Sequence, residues 1–208
     1  PMGAVITRLA AKSARKKGTK VIYTAHGFHF FKGASIKNWM LFYPVEKYLS
    51  KYTDCLITIN SEDCELAHKK KFRAGKIYKV HGVGVELDKF KAVDADEKAR
   101  LRAEYGYDGD TFIMIYPADL AVGKNQQMLF DVIQKIAKKN EKVKLLLPGQ
   151  PIMLEKYKMM VSERGIADKV DFLGYRRDIN NLVGLSDLSV TSSVREGLPI
   201  NIIERSEE

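Results

Sequence analysis

The chain has 208 residues, of which 45% are hydrophobic and 29% charged, with a formal net charge of +9. That length is enough for one large domain or two small ones with a sizeable core, and no run of about 18 apolar residues is present to cross a bilayer as a helix. The first residues also lack the apolar segment of a secretory signal, which points to a cytoplasmic address.

The charge is unevenly placed: the first 96 residues hold 18 Lys and Arg against 9 Asp and Glu, and the rest is balanced. Lys12, Arg15, Lys16, Lys17 and Lys20 form one cluster, and Lys69, Lys70, Lys71 and Arg73 another. Solvated helix faces are one reading. An anionic membrane surface, where each basic residue gains about 1 kcal/mol, is the other. No recognition-helix pattern or interleaved aromatics accompany the clusters, so no nucleic acid partner is expected.

In chain order, residues 4–17 predict an amphipathic helix with Val5, Ile6, Leu9 and Ala10 inward, ended by Gly18. A short strand over 20–25 leads into a loop with His26 and His29, and 36–51 predicts a helix rich in aromatics. A strand over 54–60 follows, then a helix capped by Ser61 with Glu62 and Asp63 in its first turn. Residues 77–80 read as a strand and 81–84 as a turn. Cys55 and Cys64 fall in the strand and the helix around them, and read as inert thiols rather than a disulfide or metal pair. A polar stretch from Asp94 to Asp110 marks a domain boundary at its start, dividing the chain into 1–94 and 95–208. Within it, 95–105 predicts a helix. Strands over 111–116, 143–147, 170–173 and 187–191 then alternate with helices over 125–139, 152–164, 179–185 and from 198. Regular strand–helix alternation in both halves predicts an α/β protein with parallel sheets, doubly wound in the second half.

The last strand runs into Glu196-Gly197-Leu198-Pro199, and Glu204 lies eight positions after Glu196. Proline suits a first helical turn, whose N–H groups have no intrahelical partner and favour phosphate. Two carboxylates flanking such a position fit sugar hydroxyls rather than the phosphate itself, and together they suggest a sugar nucleotide.

These residues resemble the E-x7-E signature of retaining GT-B glycosyltransferases, in particular family 4, the branch that builds capsular and exopolysaccharides. Further landmarks occur in the family's order: the stretches 23–30 (Tyr-Thr-Ala-His-Gly-Phe-His-Phe), 57–63, 81–85, 123–126 (Gly-Lys-Asn-Gln) and 172–176. The resemblance implies two Rossmann-like halves, the first on the acceptor side and the second binding the nucleotide sugar. It implies transfer of a sugar with retention to a growing, lipid-linked polysaccharide, with no cofactor and no metal, at the inner face of the membrane.

Residue by residue, the resemblance implies that Glu196 contacts hydroxyls of the transferred sugar and Glu204 the ribose. Gly197 and Leu198 would give backbone donors to the distal phosphate, Lys124 would offset the charge of the leaving diphosphate, and His26 would approach the donor from the first half. The sequence departs from the pattern where Asp119 and Gly123 stand in place of common basic residues; Arg195 is a candidate to compensate. His29, His68 and His81 read as structural or exposed. Pro1-Met2-Gly3 resembles a segment deep inside the family's first domain, and the chain stops soon after Glu204, with Arg205-Ser206-Glu207 unlike the usual small apolar residues. Both halves are therefore expected to be incomplete. A catalytically inactive remnant that binds nucleotide or anionic surfaces, and a nucleotide-sugar epimerase of the same fold, are the alternatives.

Overall fold

A computed structural model describes residues 2–204 apart from 83 and 87. Val83 of the expected turn and the 205–207 departure therefore lie outside the described residues. The chain divides into two compact units between Gly84 and Val85. The division falls ahead of the expected one at 94, because Phe90 and Val93 pack against the core of the second unit.

The first unit carries β1 (Ile22–Ala25), β2 (Cys55–Thr58) and β3 (Lys76–Lys79), parallel and in that order across the sheet. Parallel neighbours need crossover connections, which α3 (Ile36–Ser50) and α4 (Ser61–Lys69) supply. Phe28, Phe30 and Phe72 fill the core with Trp39 and Tyr43 against them. Cys55 and Cys64 are free thiols.

Two expectations are corrected here. The helix over 4–17 is divided by a turn at Ala11 into α1 (Met2–Ala10) and α2 (Lys12–Lys16), and its Ile6, Leu9 and Ala10 are exposed rather than inward. The buried residue of α1 is Arg8, which donates to Glu46 Oε1 at 3.0 Å and stacks over the Tyr23 ring at 4.2 Å. A buried guanidinium needs its carboxylate, so this pairing, not the apolar periodicity, sets the rotation of α1. The cap of α4 is Asn60, not Ser61; its side chain accepts from Asp63 N–H at 2.8 Å. Asp63 itself is fully buried and accepts from Phe28 N–H and Asn60 Nδ2, at 3.0 and 2.9 Å. One acid of the first turn thus ties down the loop that carries His26 and His29.

The second unit carries β4 (Phe112–Ile115), β5 (Val143–Pro148), β6 (Val170–Gly174) and β7 (Leu188–Ser189), all parallel, in the order β6-β5-β4-β7. Its helices are α5 (Ala95–Tyr105), α6 (Gln126–Ala137), α7 (Leu154–Glu163), α8 (Ile179–Leu185) and the short α9 (Ile200–Ile203). Side chains alternate across the sheet. Met114, Leu145 and Leu147 face one core with Phe130 and Tyr157, while Ile113, Ile115 and Leu146 face another with Leu101 and Leu182. Helices cover both faces, so the strands are apolar on both sides. The chain winds outward from β4 to β6 and returns to the other side of β4 with β7. That reversal opens a crevice at the carboxyl ends of β4 and β7, the place where such sheets bind ligands.

β7 is only two residues long and depends on Asp187 at its start. The Asp187 carboxylate takes Lys98 Nζ, Arg102 Nη2 and Ile113 N–H, each at 2.7 Å. Burial works to push this carboxyl up, but Lys98, the Ile113 amide and Arg102 together hold it below the ordinary aspartate value. Asp187→Ala would leave the buried Arg102 without its counter-ion. A loss of about 3 kcal/mol in urea denaturation is expected, against little change in Lys98→Ala, whose side chain is more exposed.

Candidate active site

Two loops meet at the crevice. The loop after β4 makes a single 3-10 turn at Val122–Lys124, and Asn125 then takes a left-handed conformation at φ 52° before α6 begins. The loop after β7 carries Ser192, Ser193 and Glu196. Backbone and side chains join the two: Val194 N–H donates to the Gly123 carbonyl at 3.0 Å, and the Ser192 hydroxyl to the Lys124 carbonyl at 2.9 Å. Lys124 is thereby held by its backbone, and only its side chain remains to reach out.

That side chain meets Glu196, with Nζ to Oε1 at 2.6 Å. The same oxygen accepts the Ser193 hydroxyl. Since the single proton of Ser193 is committed to Glu196, Tyr116 must be the donor in its 2.5 Å contact with Ser193 Oγ. The Tyr116 hydroxyl also lies 3.3 Å from the Lys124 carbonyl. A chain Tyr116–Ser193–Glu196–Lys124 therefore crosses from β4 to the last loop. Among the described residues, no hydrogen bond reaches Glu196 Oε2. The carboxylate is thus fixed through one oxygen.

The ion pair is partly open to solvent, with side-chain exposures of 34% for Lys124 and 24% for Glu196. Pairs of this kind contribute about 1 kcal/mol at most. A diphosphate could therefore share the ammonium at small cost, while Ser193 still holds the carboxylate in place.

The loops after β4 and β5 are in close backbone contact. A Cβ on Gly149 would lie 2.1 Å from the Ala118 carbonyl oxygen. The loops after β4 and β5 continue their pairing past the strands, with Ala118 N–H on Pro148 O and Leu120 N–H on Gln150 O, at 3.0 and 2.9 Å. Asp119, which stands where a cation is common in the resembling family, accepts from Gln150 N–H at 2.9 Å, and its carbonyl accepts from the buried Gln126 side chain at 2.8 Å. Its role here is to join two loops.

The end of the motif differs from expectation. α9 starts at Ile200, and Pro199 caps it rather than occupying its first turn; Gly197 and Leu198 lie in the bend before. The Leu198 carbonyl accepts from Ile200 N–H at 3.0 Å, and Asn201 ties the helix back to the Val190 carbonyl at 3.2 Å. Four residues make too short a helix for much dipole, so any anion there would depend on the bend and on Lys124. Arg195 directly precedes Glu196 in the same loop. Glu204 follows α9 and is partly buried; burial pushes its carboxyl up, with Lys89 opposing. Among the described residues, no hydrogen bond or ion pair joins Glu204 to Lys124 or Glu196.

His26 stands in the first unit, at the mouth of a cavity of about 390 Å³ lined by Tyr23, His29, Phe42 and Glu46. Burial and the Glu46 carboxylate push the Tyr23 phenol up to about 12. Among the described residues, no group of three or more His, Cys, Asp or Glu could hold a metal ion. Of the expected residues, then, the structure brings Lys124 and Glu196 into contact. Sequence reasoning missed Tyr116, Ser192, Ser193 and Gly149. The Ser-Ser pair after a strand was the one visible sign, and it reads equally as ordinary loop.

Gly149→Ala is expected to destabilise the second unit by about 3 kcal/mol, since backbone must move to admit the methyl group, and thermal denaturation would show it. Glu204 gives a pH effect. A carboxyl with a raised folded-state value binds its proton more tightly in the native state, so stability falls as pH rises from the ordinary value of 4.5 through the folded one. Glu204→Gln should abolish that fall and raise the neutral-pH midpoint relative to the parent; equal slopes in both proteins would contradict it.

The model of the family described as glycosyl transferases group 1 matches residues 97–206, more than half of the chain. Over 204 residues the chain is 47% identical to EpsD of Bacillus subtilis (strain 168), provisionally named a glycosyltransferase, covering 98% of this chain and 54% of EpsD. It is 27% identical over 206 residues to the Escherichia coli UDP-Gal:alpha-D-GlcNAc-diphosphoundecaprenol alpha-1,3-galactosyltransferase, covering 96% of this chain and 52% of that one. The chain thus spans about half the length of these relatives. Among solved structures, HepE of Anabaena, in complex with UDP and glucose, matches with a TM-score of 0.81 at 19% identity, over 98% of this chain and 54% of HepE. The fold, α/β with parallel sheets, is that of GT-B glycosyltransferases. By the match over its second unit, the chain belongs to the group 1 glycosyl transferases.

Proposed function

We propose that this chain forms part of a retaining, family 4 glycosyltransferase that moves a sugar from a nucleotide-diphosphate donor to a growing, lipid-linked polysaccharide. The observation that carries this reading is the Lys124–Glu196 contact at the crevice between β4 and β7, with one Glu196 oxygen held and the other open. In this reading Glu196 Oε2 accepts a hydroxyl of the transferred sugar. Lys124, with Arg195 and the Gly197 and Leu198 amides, receives the diphosphate, and Glu204 takes the ribose. His26 of the first unit approaches the donor sugar.

The geometry argues against a covalent intermediate. A nucleophilic carboxylate must be free to attack the anomeric carbon, and a second acid must stand near it. Glu196 is instead neutralised by an ammonium and held by a serine. Transfer on the same face as departure fits better: the leaving diphosphate takes the acceptor proton, and the protein positions and neutralises. The lipid-linked acceptor finds support in the name of the Escherichia coli relative, whose acceptor is a diphosphoundecaprenol. The donor class finds support in the neighbour bound to UDP-glucose.

The test is transfer from UDP-sugars to an undecaprenyl-diphosphate-linked sugar, with the product's anomeric configuration read by NMR. Glu196→Ala should lower kcat by about 10²–10³ while retaining binding of free UDP, and Lys124→Ala should weaken both. Inverted product would overturn retention, and product formed without acceptor would favour the epimerase.

A further inference from the structure

Lys124 and Glu196 share one contact, Nζ to Oε1 at 2.6 Å, yet in the transfer proposed above they serve different parts of a donor. The ammonium serves the diphosphate and the carboxylate serves the sugar. Among the described residues, Lys124 is the one cation within ion-pair distance of Glu196. A ligand that draws the ammonium away therefore leaves a carboxylate to be satisfied. Nor is Glu196 at liberty to turn out to water. Its side chain is 24% exposed, and its Oε1 accepts the Ser193 hydroxyl. Ser193 is held in turn by Tyr116, which is 1% exposed at the end of β4.

Two ligands differ in what they offer that carboxylate. An intact donor brings both replacements at once: its diphosphate takes the Lys124 ammonium, and a sugar hydroxyl donates to Glu196. A nucleoside diphosphate, which is what remains after transfer, takes the ammonium but has no hydroxyl to give. Its terminal phosphate has also gained a negative charge where the sugar was attached. Glu196 then faces an anion with its own counter-ion withdrawn. An unpaired charge set against the wrong ligand confers selectivity as well as contacts to the right one do. Polar groups that lose their partner in a desolvated site discriminate most strongly.

We propose, resting on that donor reading, that the Lys124–Glu196 pair is an exchange contact that favours the intact sugar nucleotide and disfavours the nucleoside diphosphate left after transfer. Glu196 thus has a second role beside holding the sugar: it keeps spent nucleotide from occupying the crevice. Ser193 and Tyr116 are positioning residues for that role, since they hold the carboxylate in place once the ammonium has moved.

Isothermal titration tests it, with UDP or GDP, whichever the parent binds, and with the matching monophosphate. Glu196→Gln removes the charge at nearly constant shape and should tighten the diphosphate about fivefold, the size of a partly exposed ion pair. The monophosphate, which lacks the terminal phosphate, should bind both proteins alike. Glu196→Ala should show the same gain, so the result does not depend on one variant folding. Ser193→Ala, which frees the carboxylate to turn toward water, should show a smaller gain of the same sign. The sugar nucleotide that supports transfer should not gain in Glu196→Gln, because a neutral amide is the weaker acceptor for its hydroxyl. Equal diphosphate affinity in parent and Glu196→Gln, or an equal gain for the monophosphate or the sugar nucleotide, would overturn the proposal and leave the transfer reading in place. Tightening in a protein that transfers no sugar would uphold the exchange at this contact and remove the transfer reading instead. A parent that binds neither UDP nor GDP would remove both.

Discussion

The second unit depends on one piece of geometry: strands β4 and β7 lie side by side although the chain winds away from β4 in opposite directions on either side. Their following loops must separate, and the space between them is where Lys124 and Glu196 meet. Nothing local to either residue would bring them together, since they stand 72 positions apart in the chain. The contact exists because the sheet order β6-β5-β4-β7 makes the first and last strands of the unit neighbours. Ser192 and Val194 then fasten one loop to the other through the backbone of 123–124.

Charged residues placed outside the crevice do the holding. β7 has only two residues and could not define its own register. Asp187 fixes it instead, by drawing Lys98 and Arg102 of α5 and the first amide of β4 onto one carboxylate. In the first unit Asp63 does the same for the histidine loop, and Arg8 with Glu46 fixes α1 against α3. These groups are costly to bury alone and inexpensive once paired. The result is a rigid frame under loops whose functional side chains remain partly open to water.

In the proposed site, the Lys124–Glu196 pair illustrates how a weak interaction would suit ligand binding. A fully buried pair would resist separation, and an exposed one would not define a position. Here the serine and tyrosine hydroxyls keep the carboxylate in place independently of the lysine, so the ammonium can turn toward an incoming anion without losing the arrangement of Glu196.

Much of this was readable in the sequence. The strand–helix alternation fixed the class of fold, because only a parallel sheet covered on both faces accommodates it, and α5 and α8 fall on the residues that periodicity indicated. Lys124 and Glu196 were singled out because their stretches resemble a family's signatures; that their side chains meet is what the sheet order adds. Tertiary structure alone decided the rest. The rotation of α1 follows from an arginine pairing with a residue 38 positions away, which outweighs local hydrophobic pattern. The cap of α4 went to Asn60 because Asp63 was drawn into the core. The start of α9 at Ile200, the use of Asp119 as a loop tie and the Tyr116–Ser193 support all arise from contacts between segments distant in the chain. Periodicity and short motifs report what a segment would do alone, whereas these features exist only once the sheet has brought separate loops to the same edge.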